Sequence, residues 1–521
     1  MPASDPQKKP RADFFWGVAT SAYQSEGGYN FPGAPRTNWA AAEERGEVAR
    51  VGNSSEFWTR FREDFARCQS LGLNAFRLSI EWSRVQPASF DGPCAKAPAF
   101  DFSALEHYAE MLAACREHGL EPIVTLHHFT HPAWLGSAPW LDFRTPELFE
   151  NYVRTAVIFL NEKLIARGCE PVRFFITINE PNMLVFNTYL GNQFPSEIRG
   201  GLRTLINACN GLLIAHVRAY NALHDIYAER GWLAPNGPMV TFNNYCSDLY
   251  WLDKALLDLV SVAERGTARA DVKECIHEKI KAFEIAFRAA KIPLRKDLPY
   301  YFGALAKRFS SRIGHQWFQP EHFAPALDAI YFSAEKKGRA RLLDFIALDY
   351  YDPFAAHIFR LPVWWDHESK NKNLHSWLMK SVTSKWWDWR VLPSGLHFFC
   401  KYYAQDFGGR PVLIAENGMA LRRRWNNQHS LRRDRISRSE FLRLHVREVS
   451  RIIDDGVPLI GYLHWSLFDN YEWGSFTPRF GLYAIDYTRG AERLVKDHTG
   501  DRPAETYAEL IREAQEKMRA V

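Results

Sequence analysis

The sequence predicts an α/β protein built as a single (β/α)8 TIM barrel with long loop insertions. Three observations lead there: eight short apolar runs rich in β-branched residues, amphipathic segments of helical period between them, and glycines closing several of those segments just before the next run. Length alone leaves the choice open, since 521 residues suit several domains or one barrel with long loops. No Pro/Gly/Ser-rich linker divides the chain, and no repeat beyond the βα alternation is found.

Residues 1–13, "MPASDPQKKPRAD", are polar and lack an apolar signal core, so they are expected to form a disordered lead, with the barrel domain spanning 14–521. The first strand is expected at Phe14–Thr20, and the helix that follows closes on Gly72, a residue suited to a left-handed helix end. Leu73–Ile80 and Glu121–His128 are the second and third strands, separated by a segment ending at Gly119. A long helical pattern closing on Gly168 leads into Val172–Asn179, and the fifth strand is Gly237–Tyr245. Residues at about 247–341 carry extra helical patterns and read as an insertion on the barrel. Leu343–Tyr351, Arg410–Asn417 and Val457–Ser466 complete the eight.

Hydrophobic content of 46% and charged content of 24% are ordinary for a globular chain with a substantial core. The 18 Trp, 21 Tyr and 36 Phe exceed what a core requires, and flat rings are what sugars, bases and apolar ligands stack on. A net charge of +5, from 65 Lys and Arg against 60 Asp and Glu, gives no field that would gather nucleic acid. The basic run from Arg422 to Arg438 is the local exception and reads as a solvated loop. Eight scattered cysteines without a C-x-x-C pair read as reduced thiols, neither a disulfide frame nor a zinc site. No apolar run approaches the ~18 residues of a membrane span, so a cytoplasmic protein with no membrane or nucleic-acid partner is expected; its oligomeric state is not readable.

In such a barrel all strands end on one face, where barrel enzymes carry their chemistry. The residues at those ends are Gln24, Arg77 with Glu81, His127 with His128, Asn179 with Glu180, Asn243 with Asn244, Asp349 with Tyr350 and Tyr351, Glu416 with Asn417, and His464 with Trp465. Any one has a bland explanation as a polar strand end, but eight converging on one face do not. Glu180 and Glu416 terminate strands four and seven, which lie across the barrel mouth from each other. Two facing carboxylates are the minimal machinery for cleaving a glycosidic bond: one protonates the leaving oxygen, and the other attacks the anomeric carbon or activates water. No H-E-x-x-H or comparable ligand set and no Gly-rich phosphate loop occurs, so neither a metal nor a cofactor is expected.

Seven stretches in order, "FFWGVATSAYQSEGG", "FRLSIEWSRVQP", "TLHHFTHPAWL", "TINEPN", "LDYY", "IAENGM" and "GYLHWSLFDNYEWGSFTPRFGLY", resemble glycoside hydrolase family 1, the β-glucosidase and β-glycosidase family, from Phe14 to about Pro503. The resemblance implies a retaining mechanism with Glu180 as general acid/base and Glu416 as nucleophile. It also implies that Arg77 and Tyr351 support Glu416, and that Gln24, His128, Asn179, Trp465, Glu472 and Trp473 hold the sugar. The stretch "SKWWDWRVLPSGL" resembles the segment carrying the aglycone platform, with Trp389 at the matching position. Val363–Trp365, Trp377, Trp386 and Trp387 add aromatic surface on that side and suggest a hydrophobic or aryl aglycone.

Members acting on 6-phosphorylated sugars replace the acid at Glu472 and gain a Ser/Lys/Tyr phosphate site. Here "NYEWGSFTPRF" keeps the acid, which favours an unphosphorylated β-glucoside, β-galactoside or β-fucoside, free or within an oligosaccharide. Three departures bear on sugar preference: Asp349 where Asn is usual, Thr130 where Asp is frequent, and a "WGSFTPRF" stretch one residue shorter than common. A catalytically inactive glycan-binding relative, or the thioglucoside-cleaving branch, is expected to lack one of the two glutamates, and both are present. A mainly transglycosylating enzyme would use the same residues and differ only in what intercepts the covalent intermediate.

Overall fold

The computed structural model describes residues 14–520 except 89–91, 93, 95, 192, 199, 359, 361–385 and 424–428. The proposed lead at 1–13, Val363–Trp365 and Trp377 lie outside the described residues.

Eight parallel strands close a barrel: β1 (Phe15–Ala19), β2 (Ala75–Ser79), β3 (Glu121–Thr125), β4 (Phe174–Asn179), β5 (Met239–Tyr245), β6 (Ile346–Tyr350), β7 (Val412–Asn417) and β8 (Leu459–Trp465). Each pairs with its sequence neighbours, and β1 pairs with β8 from Phe15 opposite Gly461 to Ala19 opposite Trp465. The strands are one to three residues shorter at one or both ends than the apolar runs that predict them, because residues such as His127 and His128 already belong to the loops. Gly72, Gly119 and Gly168 adopt φ of 77°, 73° and 74°, as helix-ending glycines should.

Two apolar layers result. Between strands and helices runs the main core, while a separate cluster, including Ile123, Phe174, Ile176, Phe345, Leu413 and Leu463, fills the barrel below the mouth. The helices around it include Phe57–Ser70, Phe102–Glu117, Thr145–Ala166, Leu202–Arg230, Pro393–Asp406, Arg438–Asp454 and Pro503–Ala520. Between β5 and β6 lie four more, Lys254–Val260, Val272–Ala289, Leu298–Trp317 and Ala324–Lys337. Among the described residues no helix is long and apolar enough to cross a membrane, and all eight cysteines are free.

The ladders are irregular chiefly at the mouth, with one further shift at the start of β8 between Leu459 and Gly461. Register shifts fall between Ile176 and Asn179 on β4, between Leu348 and Asp349 on β6, and between Tyr462 and His464 on β8. Such bulges re-aim side chains, and these sit where the polar strand ends begin. Close packing holds the mouth in register: a Cβ added at Gly418 would stand 2.2 Å from the Trp465 carbonyl oxygen. Gly418→Ala is therefore expected to cost about 1–3 kcal/mol as overpacking, read from a lower urea midpoint at unchanged slope.

Candidate active site

The alternation of a strand divides the polar tips that the sequence groups in pairs. Arg77, Asn179, Asn243, Asp349 and Glu416 meet over the barrel axis in one hydrogen-bonded network. Their sequence neighbours turn outward. His127 packs on Trp140 and Phe149, His464 on Phe441 and Tyr507, and Asn244 donates to the Asp253 carbonyl. Tyr350 donates to the Leu392 carbonyl, Asn417 bridges Tyr350 and Tyr462, and Glu81 caps its own short helix through Ser83. These six belong to the barrel wall and are removed from the set of converging polar groups.

Arg77 is the centre of the network and is fully buried. Its Nη1 donates to Glu416 Oε1 at 2.8 Å, its Nη2 to Asn179 Oδ1 at 2.5 Å, and its Nε to Thr125 Oγ1 at 3.0 Å. Tyr351 OH donates to the other Glu416 oxygen at 2.8 Å. Asn243 donates to Asn179 Oδ1 and to Asp349 Oδ2. Sequence reasoning passed over Thr125, whose only signal is its place on β3, and Tyr245, whose ring stacks on Tyr351 at 5.9 Å and 12°.

Glu180 follows β4 with φ 36° and ψ 61°, a left-handed conformation that side chains other than glycine adopt at a cost of about 1–3 kcal/mol. That backbone turn carries its carboxyl to the same point: Glu180, Asp349 and Glu416 each offer an oxygen, all within 4.8 Å of one another. Three buried carboxyls beside one guanidinium cannot all ionise. Burial, and after it the Glu416 charge, pushes Glu180 and Asp349 well above the usual carboxylate range, and the two share a hydrogen bond. Glu416 is raised by burial too, but Arg77 and Tyr351 oppose this by favouring its anion. The arrangement holds protons on the Glu180/Asp349 pair and negative charge on Glu416. The same three oxygens are the only group of ligand type and spacing for a metal found among the described residues, with the Arg77 guanidinium already occupying one side of it.

A second cluster lies at the β1 and β8 side. Glu472 accepts from Trp465 Nε1 at 3.0 Å and from Gln24 Nε2 at 3.0 Å, and Ser21 in turn donates to Gln24 Oε1 at 2.7 Å. Both carboxylate oxygens of Glu472 are thus aimed by fixed N–H groups, although burial raises its pKa well above the usual value. His128 lies nearly parallel to both Trp465 and Trp473, at 5.8 and 6.0 Å. Burial, with repulsion from Arg77 and His127, keeps it neutral. Trp473 also touches Trp39 and Phe194, so it is packed on one side while serving the cluster on the other.

On the opposite rim Trp389 stands 5.3 Å from Tyr351, with Trp386 6.2 Å beyond it. This rim corrects the reading of the Arg422–Arg438 run as a solvated loop, for the part of it described. Arg422, Arg432 and Arg438 are buried. Arg432 donates to the Trp387 carbonyl at 2.8 Å and to the Trp389 carbonyl at 2.6 Å, Arg422 lies 4.5 Å over the Trp387 ring, and Arg438 holds the Gly481 and Arg479 carbonyls. Loop carbonyls with no ladder partner need donors, and a guanidinium supplies several at once.

The model of glycosyl hydrolase family 1 matches residues 7–247 and 286–515, leaving most of the region before helix Leu298–Trp317 unmatched. Among curated proteins, β-glucosidase A of Thermotoga maritima is 26% identical over 499 residues, covering 94% of this chain and 96% of that protein. A 6-phospho-β-galactosidase of Leptotrichia buccalis is 25% identical over 502 residues, covering 92% and 95%. Among solved structures, a β-glucosidase from Thermotoga maritima in complex with azafagomine superposes with a TM-score of 0.65 at 21% identity, over 97% of this chain and 99% of that one. A β-glycosidase from Pyrococcus horikoshii gives 0.60 at 24% identity, over 96% and 94%.

Proposed function

The chain belongs to glycosyl hydrolase family 1, and from that premise we propose that it is a retaining β-glycosidase hydrolysing unphosphorylated β-D-glucosides, with β-D-galactosides and β-D-fucosides as further substrates. The observation carrying this reading is the Glu180–Glu416 pair. Its nearest oxygens lie within 4.8 Å, short of the ~6.5–9.5 Å that would leave room for a water in an inverting site.

In the first step a Glu416 oxygen attacks the anomeric carbon while the glycosidic C–O bond breaks, and Glu180 transfers its proton to the departing oxygen. The product is a glycosyl ester on Glu416 with the sugar's configuration inverted. Burial and, after it, the Glu416 charge hold the Glu180 proton; esterification removes the second of these, so the Glu180 carboxylate left after proton transfer can take a proton from water as that water attacks the same carbon. A second inversion restores the β-configuration and frees Glu416. Asn179, fixed by Arg77 and Asn243, is assigned to the sugar 2-hydroxyl, where hydrogen bonds strengthen toward the transition state.

The curated relatives include both β-glucosidase and 6-phospho-β-galactosidase, so sugar phosphorylation has to be argued from the site. Glu472 favours the unphosphorylated sugar. Its two oxygens, aimed by Trp465 and Gln24, each keep a lone pair that can accept from a ring hydroxyl, whereas an ionised phosphate has no donor to offer them. Kinetics on aryl β-glucoside, β-galactoside, β-fucoside and 6-phospho-β-galactoside are expected to give kcat/KM for the best neutral sugar at least ~10²-fold above the phosphorylated one. A preference for the 6-phosphate would overturn the assignment of Glu472.

A further inference from the structure

Helix Leu298–Trp317 turns an apolar stripe to solvent. Leu298, Tyr301, Phe302, Leu305 and Phe309 follow the i, i+3, i+4, i+7, i+11 spacing of one helix face, and all are 61–69% exposed. The opposite face packs inward. Gly303 sits against the Ala356 carbonyl after β6, where an added Cβ would stand 2.3 Å from the oxygen, and Lys307 Nζ reaches Asp248 after β5. The helix is thus anchored along one face while the stripe stays outside. A contiguous row of this kind marks a contact surface.

Charge identifies what it contacts. The helix contains no Asp or Glu, and from Ile285 to Pro320 there are seven Lys or Arg against the single Asp297. Arg308 and Arg312 are exposed, extend the same side of the helix and have no ion-pair partner among the described residues. A two-fold contact between copies of this chain would set this patch against itself, and its one carboxylate, Asp297, is already held by Arg390, which leaves these arginines without a partner. Apolar rings and cations on one exposed helix face match a bilayer bearing anionic headgroups, which takes the rings at the acyl boundary and pairs the cations with its surface charge.

We propose that Leu298–Trp317 is a surface-lying helix that docks this protein on anionic lipid membranes. This is distinct from a span, since among the described residues no helix is long and apolar enough to cross a membrane. The placement gives it a use. Asp297, at the start of the helix, accepts from Arg390 at 2.7 Å, the residue after Trp389. Docking would hold the aromatic rim of the mouth beside the lipid surface, where glycosides with apolar aglycones concentrate.

The test is co-sedimentation of the full chain with phosphatidylcholine vesicles, with and without phosphatidylglycerol, at low and high salt. The wild type is expected to pellet with the anionic vesicles and to be released by salt. The doubly substituted chains L305E/F309E and R308E/R312E should each bind at least about tenfold more weakly. Because these side chains are exposed and remote from the carboxylates, turnover of a soluble aryl β-glycoside should be unchanged, which also certifies folding. Absence of wild-type binding to anionic vesicles, or binding by both variants as tight as the wild type's, would overturn the proposal. So would sedimentation velocity showing a wild-type dimer that the variants dissociate without any vesicle binding, which would assign the stripe to self-association.

Discussion

Replacing Glu416 with alanine is expected to lower turnover of an aryl β-glucoside by at least ~10⁴-fold, since the group that forms the covalent bond is gone and only binding and the remaining dipoles act. The cavity left by the side chain, still flanked by Arg77 and Tyr351, should accept a small anion. Added azide is therefore expected to restore turnover, and because it attacks from the side Glu416 occupied, the product should be the α-glycosyl azide. NMR of the product distinguishes this from the β-anomer. Near-wild-type turnover in the variant would remove Glu416 from the mechanism.

Glu180→Ala should divide the two half-reactions. An aryl leaving group of low pKa departs without a proton, so glycosylation of Glu416 is expected to survive, while attack of water without a base slows by ~10²–10⁴-fold. A burst of released phenol followed by slow turnover, relieved by azide with formation of the β-glycosyl azide, is the expected signature. The same logic fixes a titration. Glu180 is raised by burial first and by the Glu416 charge second. In a glycosyl-enzyme trapped on Glu416 the second cause is absent, so the Glu180/Asp349 pair should titrate at lower pH than in the free enzyme. Carboxyl-sensitive infrared difference spectra or NMR of labelled glutamate would report it. A trapped form titrating higher would show that the proton is held by something else.

The eight barrel strands were legible because a strand buried on both faces must be apolar along its whole length, and runs such as Phe174–Ile178 carry that constraint openly. The proposed pair, Glu180 and Glu416, was legible because two such runs, on strands across the mouth from each other, both end on a glutamate. Which member of each polar pair points inward was not. His127 beside His128, and Asn243 beside Asn244, differ only by the two-residue period and by register shifts that no local composition announces. Charge misled in a different way. Arg432 and Arg438 look solvent-loving in isolation, yet loop carbonyls from distant residues draw them inside. Helix Leu298–Trp317 shows the converse, where the period reveals an apolar face without saying that it stays outside.

The hold of Arg432 on the carbonyls of Trp387 and Trp389 sets up a division of labour. The indoles proposed as the floor of the leaving-group subsite are fastened not by their own segment but by the loop that follows the strand bearing Glu416. Substitutions in that loop could slide the indole platform while leaving every bond to Glu416, Arg77 and Tyr351 in place. Acceptor preference could thus drift, in evolution or in directed libraries, independently of the chemistry at the anomeric carbon.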